Sequence, residues 1–496
     1  MTQQPETPDW VKHGIFYQIF PDRFAKSAGL EKPNNLEPWD SDPTPRGYKG
    51  GDLVGVRERL DFLQELGVTA IYFTPIFQSA SNHRYHTHDY YRIDPLLGGD
   101  KAFDELLAEC HRRGLRVVLD GVFNHASRGF FQFNDILENG EASPWLDWFT
   151  FTKHPANAYD HGRPPDYTAW VGLHALPKFN TDNPLVREYL MRVGEYWLRK
   201  GIDGWRLDVA PEITSEGFWA EFRERMKAVN PEAYLVGEIW GDASSWLQGD
   251  QFDGTMNYLF TEAAIAFCGG RHILLETVVG RSYAPYPSID GRTYAAKIER
   301  LLRLYPWQIQ LTQLNLLDSH DTSRLISIVG GDVASVRLAT LLLFTFPGAP
   351  SIYYGDEIGL TGALPDHWVR KPFPWNHPEQ WDRDALRFHQ EVIALRTAHP
   401  ALRVGSYVPL HADQGVYAFA RRLDGCELVV AVNVAETPRE VDLVPASRLE
   451  QSSPAQVLFA TVGDVTLTSG PTGLSLTLPA RGGAVVDTAP RARPTR

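Results

Sequence analysis

Short apolar, β-branched runs alternate with longer segments of helical spacing along most of this chain. That alternation restricts the fold more than any other feature. Residues 14–20 (GIFYQIF), 69–74 (TAIYFT) and 115–122 (LRVVLDGV) read as strands. Residues 53–66 and 102–113 are apolar at helical spacing. Each stops at a glycine, Gly67 or Gly114, the residue that ends helices most readily. After an interruption the pattern resumes: helix 184–200, strand 201–208, helix 215–230, strand 233–238 and a sixth strand at 253–258. A mostly helical stretch over 262–305, broken near 280–291, precedes a strand at 312–317. Helix 334–346, strand 350–354 and helix 383–399 complete the series. Strands this uniformly apolar belong to parallel sheets buried on both faces. Eight strand–helix units with right-handed crossovers predict an α/β fold, a (β/α)8 TIM barrel.

The alternation fails in two places. From 124 to 180 the chain is rich in Pro, Gly, His and aromatics and has no period. So long an irregular stretch inside a compact domain is usually functional. It is read as an inserted loop domain over 122–182. Beyond Pro400 the period becomes two, in VYAFA at 416–420 and LVVAVN at 428–433. That predicts an antiparallel β-sandwich over 401–496, following a catalytic barrel over 1–400. Residues 490–496 are expected to fray.

Charge and cysteine usage narrow the function. Forty-eight basic against 61 acidic residues leave a net charge of −13, with no Lys/Arg run, so nucleic acid is excluded as a partner. The longest apolar stretch, 341–346, stops at Pro347, far short of a membrane span. Residues 1–10 have neither the basic nor the apolar region of a secretory signal. Cys110, Cys268 and Cys426 are too few and too scattered for a disulfide framework or a metal cluster. A cytoplasmic location is expected.

In a barrel of this kind, chemistry sits at the C-terminal ends of the strands. Asp120 ends the third strand, Asp208 the fourth and Glu238 the fifth, and His320 and Asp321 follow the seventh. Carboxylates gathered at one mouth repel each other, an arrangement a fold keeps mainly for function. Glycoside cleavage needs such a group: one acid to protonate the leaving oxygen and one carboxylate to attack the anomeric carbon. A further anion suits the positive charge that develops on the ring. Asp120 reads best as a structural residue that holds its loop. Arg206, two residues before Asp208, points the same way along its strand and is placed to keep that carboxylate ionised.

Six motifs carry a resemblance to the α-amylase family, in order and over nearly the whole chain. DGVFNH (120–125), GWRLD (204–208), VGEIW (236–240) and LDSHD (317–321) are similar to that family's four signature regions. GIFYQIFPDRF (14–24) and YGDEIG (354–359) agree at the first and eighth strands. The resemblance implies a retaining mechanism with three catalytic residues: Asp208 as nucleophile, Glu238 as general acid/base and Asp321 holding the strained sugar. It implies that Tyr85, in NHRYHTHDY, stacks on that sugar and that His125, Arg206 and His320 line its subsite. Asp366 and Arg370 in DHWVR are similar to a sugar-binding pair, and Asn124 shares a structural role with Asp120. LPKFN (176–180) resembles the motif of the cyclomaltodextrinase, neopullulanase and maltogenic amylase group, although His86 stands where that group more often has Asp. Those enzymes generally carry an extra β domain before the barrel that helps them dimerise. Here the barrel begins almost at residue 1, and the oligomeric state stays open.

The expected activity is hydrolysis of α-1,4 bonds in maltooligosaccharides, cyclodextrins and related α-glucans. An exo-acting α-glucosidase, transglycosylase or isomerase shares the same catalytic residues. A barrel that has lost catalysis would lack one of the three acids. No cofactor is required. Related enzymes bind calcium between the first strand and first helix. Here residues 25–34 (AKSAGLEKPN) offer lysines and few hard oxygen ligands, with Asp40, Asp42 and Asp52 nearby, so calcium is not expected.

Overall fold

The computed structural model describes residues 6–280, 283–444, 455–470 and 473–488. The expected fraying of 490–496 lies outside them. Eight strands form one parallel sheet: β1 (Phe16–Ile19), β2 (Ala70–Phe73), β3 (Arg116–Gly121), β4 (Gly204–Leu207), β5 (Tyr234–Gly237), β6 (Gly254–Thr255), β7 (Leu314–Asn315) and β8 (Ala349–Tyr353). Their order is β6-β5-β4-β3-β2-β1-β8-β7. A parallel bridge between Met256, just past β6, and Leu314 joins the two ends and closes the ring. Inward-facing Phe16, Tyr72, Val118, Tyr234, Val236 and Leu314 fill the interior as one apolar cluster. The barrel is therefore a packed core rather than a pore, and a ligand must bind at its mouth.

Local chemistry sets the element ends. The helix Pro184–Lys200 begins where Asn183 accepts from the Leu185 N–H, with proline in its first turn, and stops at Gly201, whose φ of 111° is left-handed. The single helix expected over 53–66 is two, Leu53–Glu58 and Leu60–Leu66, broken at Arg59. The strand expected over 253–258 shortens to two residues. Asn257 already caps the next helix, Tyr258–Gly269, through the Phe260 N–H. A hairpin of Phe77–Ser79 and Thr87–Ile93 after β2 has no counterpart among the expected elements.

The segment inserted after β3 holds one longer helix, Phe131–Asn139, and otherwise packs through rings: Phe130, Phe133, Phe149, Tyr167 and Phe179 form edge-on and stacked pairs. A bridge from His125 to Lys178 ties its two ends together beside the mouth.

The C-terminal strands are antiparallel: β9 (Ser406–Ala412), β10 (Val416–Leu423), β11 (Cys426–Asn433), β12 (Arg439–Leu443), β13 (Gln456–Ala460), β14 (Thr466–Gly470), β15 (Gly473–Leu478) and β16 (Gly482–Asp487). They form sheets β9-β10-β11-β16-β13 and β12-β15-β14, which close on Val429, Val441, Leu476 and Val486. We propose that the division from the barrel lies at residue 400.

Candidate active site

Arg206 is wholly buried on β4 and organises the mouth. Its Nη1 donates to both oxygens of Asp120 at 3.0 Å and to Asp208 Oδ1 at 2.8 Å. Its Nη2 lies 3.0 Å from Glu238 Oε2, an ion-pair contact without hydrogen-bond alignment. One guanidinium therefore touches carboxylates from β3 and from the ends of β4 and β5. A single positive charge among three buried acids leaves them under-compensated. Burial pushes Asp120 up to about 6, with Arg206 opposing. Burial, then the charge of Glu238, holds Asp208 well above the usual carboxylate range.

Glu238 is positioned by two N–H groups. The Val209 backbone donates to Oε2 at 2.8 Å, and Trp240 Nε1 donates to Oε1 at 3.2 Å. Val209 has a left-handed φ of 39°, a strained conformation for a β-branched residue. That turn aims its N–H from the end of β4 at the neighbouring acid. Trp240 lies flat on Tyr258, ring centroids 3.8 Å apart.

On the opposite rim, a chain of hydrogen bonds fixes the protons. The Gln18 amide donates to His320 Nδ1 at 2.8 Å, so Nε2 carries the imidazole proton. Nε2 donates to Tyr85 Oη at 2.6 Å and also lies 3.0 Å from Asp321 Oδ2. Tyr85 in turn donates to Asp120 Oδ2 at 2.8 Å. Burial, then Arg370, keeps His320 well below the usual histidine range and so neutral. The Tyr85 and His320 rings are stacked, 7° from parallel. Arg370 Nη2 reaches Asp321 at 3.1 Å and Asp366 at 3.2 Å, which joins the DHWVR pair to the third acid.

His125 completes the ring. It stacks on Trp170, Asn124 Nδ2 donates to its Nδ1 at 3.2 Å, and burial pushes it down to about 3. Its Nε2 is buried with no protein partner among the described residues. A ligand hydroxyl would supply one.

All the residues singled out from sequence gather at this mouth. Gln18, Tyr72, Val209, Trp170 and Trp240 were not assigned roles. Gln18 alone left a signal, as a polar residue inside an apolar strand. The others act through a ring face (Trp170), a backbone N–H (Val209), an indole N–H (Trp240) or a hydroxyl, Tyr72 donating to Asp120 Oδ2 at 3.0 Å, contacts that arise only in the fold. Among the described residues no three His, Cys, Asp or Glu side chains are arranged to hold a metal ion. No helix among them is long and apolar enough to cross a membrane.

A closed parallel barrel with acids converging on one buried arginine defines a carboxylate glycosidase. Residues 18–394 match the model of the α-amylase catalytic domain, and the chain belongs to the α-amylase family of glycoside hydrolases. A cyclomaltodextrinase from a Bacillus species is 44% identical over 432 residues, 86% of this chain and 74% of that protein. The native form of the Nostoc punctiforme debranching enzyme is 55% identical with a TM-score of 0.90, covering 98% of this chain and 100% of that one. The Arthrobacter globiformis cyclic α-maltosyl-(1→6)-maltose hydrolase, solved with its substrate, is 36% identical with a TM-score of 0.84, covering 97% and 99%.

Proposed function

We propose that this glycosidase hydrolyses α-1,4-glucosidic bonds in maltooligosaccharides, cyclodextrins and related α-glucans, with retention, by double displacement. The observation that carries the reading is Arg206 in contact with both Asp208 and Glu238. Carboxylates that share one guanidinium sit close together, and retaining hydrolysis needs a pair roughly 5 Å apart. Glu238 protonates the glycosidic oxygen as Asp208 attacks the anomeric carbon. The Arg206 bond opposes the upward push of burial on Asp208 and aims its carboxylate. With the leaving sugar gone, Glu238 takes a proton from water, which attacks the same carbon and frees Asp208. Asp321 holds two ring hydroxyls, the His125 N–H hydrogen-bonds the same sugar, and the His320 N–H holds Tyr85 in place. Tyr85 supplies its stacking face.

A second reading, action on α-1,6 links, is favoured by one observation. The debranching enzyme and the cyclic maltosyl-maltose hydrolase match this chain over almost their whole lengths. A time course with maltotriose, β-cyclodextrin, pullulan and soluble starch, resolved by chromatography, tests both. The first reading predicts rapid ring opening to maltose and glucose. Pullulan cut to maltotriose, with the ring untouched, would favour the second. Glucose released singly from maltotriose would point to exo action.

We also propose that the enzyme needs no calcium. In the region where related enzymes bind it, the Asp52 carboxylate accepts from Ser27 N, Ser27 Oγ and Gly55 N. The Lys32 ammonium sits 3.0 Å from Asp52 Oδ2 and donates to the Gly50 and Leu96 carbonyls at 2.7 and 2.8 Å. Oxygens that would suit a hard cation already hold a side-chain one. The three cysteines form no disulfide, which suits the cytoplasmic location we favour.

A further inference from the structure

A cleft of about 380 Å³ lies between residues 39–43 and the segments 358–361 and 371–380. None of the acids, histidines or tyrosines of the catalytic mouth lines it. Its volume falls within the range of small-ligand sites.

The cleft is built in advance. Lys49, with its side chain fully buried, donates to the carbonyls of Pro38 and Ser41 and to Ser41 Oγ at 2.7–2.9 Å, which fixes the loop that bears Trp39. The Trp39 indole N–H donates to the Phe373 carbonyl at 3.0 Å and pins that loop to the opposite wall. Asn376 Nδ2 donates to Asp40 Oδ2 at 3.3 Å across the same gap.

The lining has two chemistries. Trp39, Pro43, Pro372 and Pro374 offer flat apolar surface. The side chains of Asp42 and Gln380 also line the cleft and make no hydrogen bond among the described residues. Among the described residues Lys371 Nζ makes one long hydrogen bond, to Thr361 Oγ1 at 3.4 Å, and lies over the Trp368 ring. A pyranose matches both. Its C–H faces lie on rings and prolines, and its hydroxyls donate to a carboxylate and accept from an ammonium or amide. As a neutral polyol, it brings no charge to desolvate. Lys371 also follows directly on Arg370, which reaches Asp321 in the catalytic mouth. A chain held here stays near the acids, which raises its effective concentration there.

We propose that this cleft is a second binding site for α-glucan chains, separate from the catalytic carboxylates. It rests on the reading of the enzyme as an α-glucan hydrolase. The test is affinity electrophoresis of the Glu238→Gln protein through gels containing soluble starch, with Trp39→Ala and Gln380→Ala added singly. Loss of the Trp39 stacking face should raise the apparent dissociation constant about tenfold, and Gln380→Ala, which breaks no internal bond, should raise it less. In the otherwise native enzyme, both changes should leave kcat/KM for maltotriose within about twofold, in line with a site that does not touch the reacting sugar. Unchanged retardation in both variants overturns the proposal. So does maltotriose turnover that falls in step with retardation, since the cleft would then belong to the catalytic site. A parent protein that starch does not retard, from an enzyme that hydrolyses maltotriose, sinks the second site alone. An enzyme that cleaves none of these glucans sinks the functional reading itself.

Discussion

Arg206 sets the ionisation of the site, because one buried guanidinium faces Asp120, Asp208 and Glu238 together. Removing the transferable proton should therefore be far more damaging than removing a contact. Glu238→Gln keeps the shape and cannot protonate a leaving oxygen. Its turnover of maltotriose should fall by at least about 10³-fold, while calorimetric binding of the sugar stays near the native value. Near-normal turnover would remove Glu238 from its role. A second buried acid governs stability rather than chemistry. Glu357 accepts from Tyr17 Oη at 2.8 Å and from Gly355 N at 2.9 Å, and burial pushes it up to about 7. Its folded value exceeds the 4.5 of an unperturbed glutamate, so the folded state holds the proton more tightly. The stabilisation is complete below about pH 4.5 and is lost as pH rises through about 7. It amounts to about 3 kcal/mol. Thermal melts should show Tm falling between pH 5 and 8, and Glu357→Gln should flatten that fall. An unaltered slope would contradict the assignment.

At the scale of elements, most of the barrel could be read from the chain, and the failures share a cause. The helix over 184–200 carries its own cap, proline and glycine, and forms with those bounds. β6 is shorter than the strand expected there because Asn257 is committed to capping the next helix. The hairpin at Phe77–Ser79 was hidden because its strands alternate only weakly. The acids were legible because chemistry demands them at strand ends. Val209 and Trp240 were not, because their effect arises only once β4 and β5 lie side by side. The loop between β1 and its helix yields a prediction of its own. Lys32→Ala strips Asp52 and two carbonyls of their cation, and breaking a buried pair in this way should cost about 3 kcal/mol. Melts with and without EDTA provide the check. The native protein should be indifferent to EDTA, and the variant should melt lower. A native Tm that drops with EDTA would restore calcium to the fold.

Over the whole molecule, the parallel barrel brings residues distant in sequence to one mouth, while the antiparallel sandwich packs at its side. Arg396 and Arg421 anchor that packing. Both are fully buried and both donate to the Leu402 carbonyl at 2.8–2.9 Å, Arg396 from the last barrel helix and Arg421 from β10. The junction therefore rests on charged hydrogen bonds as well as apolar area, and it lies apart from the acids. The arrangement of the mouth makes one stereochemical commitment, since acids that share one arginine lie close together, as retention requires. The most direct test is proton NMR of maltotriose digestion, recorded before mutarotation equilibrates the products. The α-anomer should appear first at the newly formed reducing end. A β-anomer appearing first would mean inversion, and would contradict Asp208 as the nucleophile.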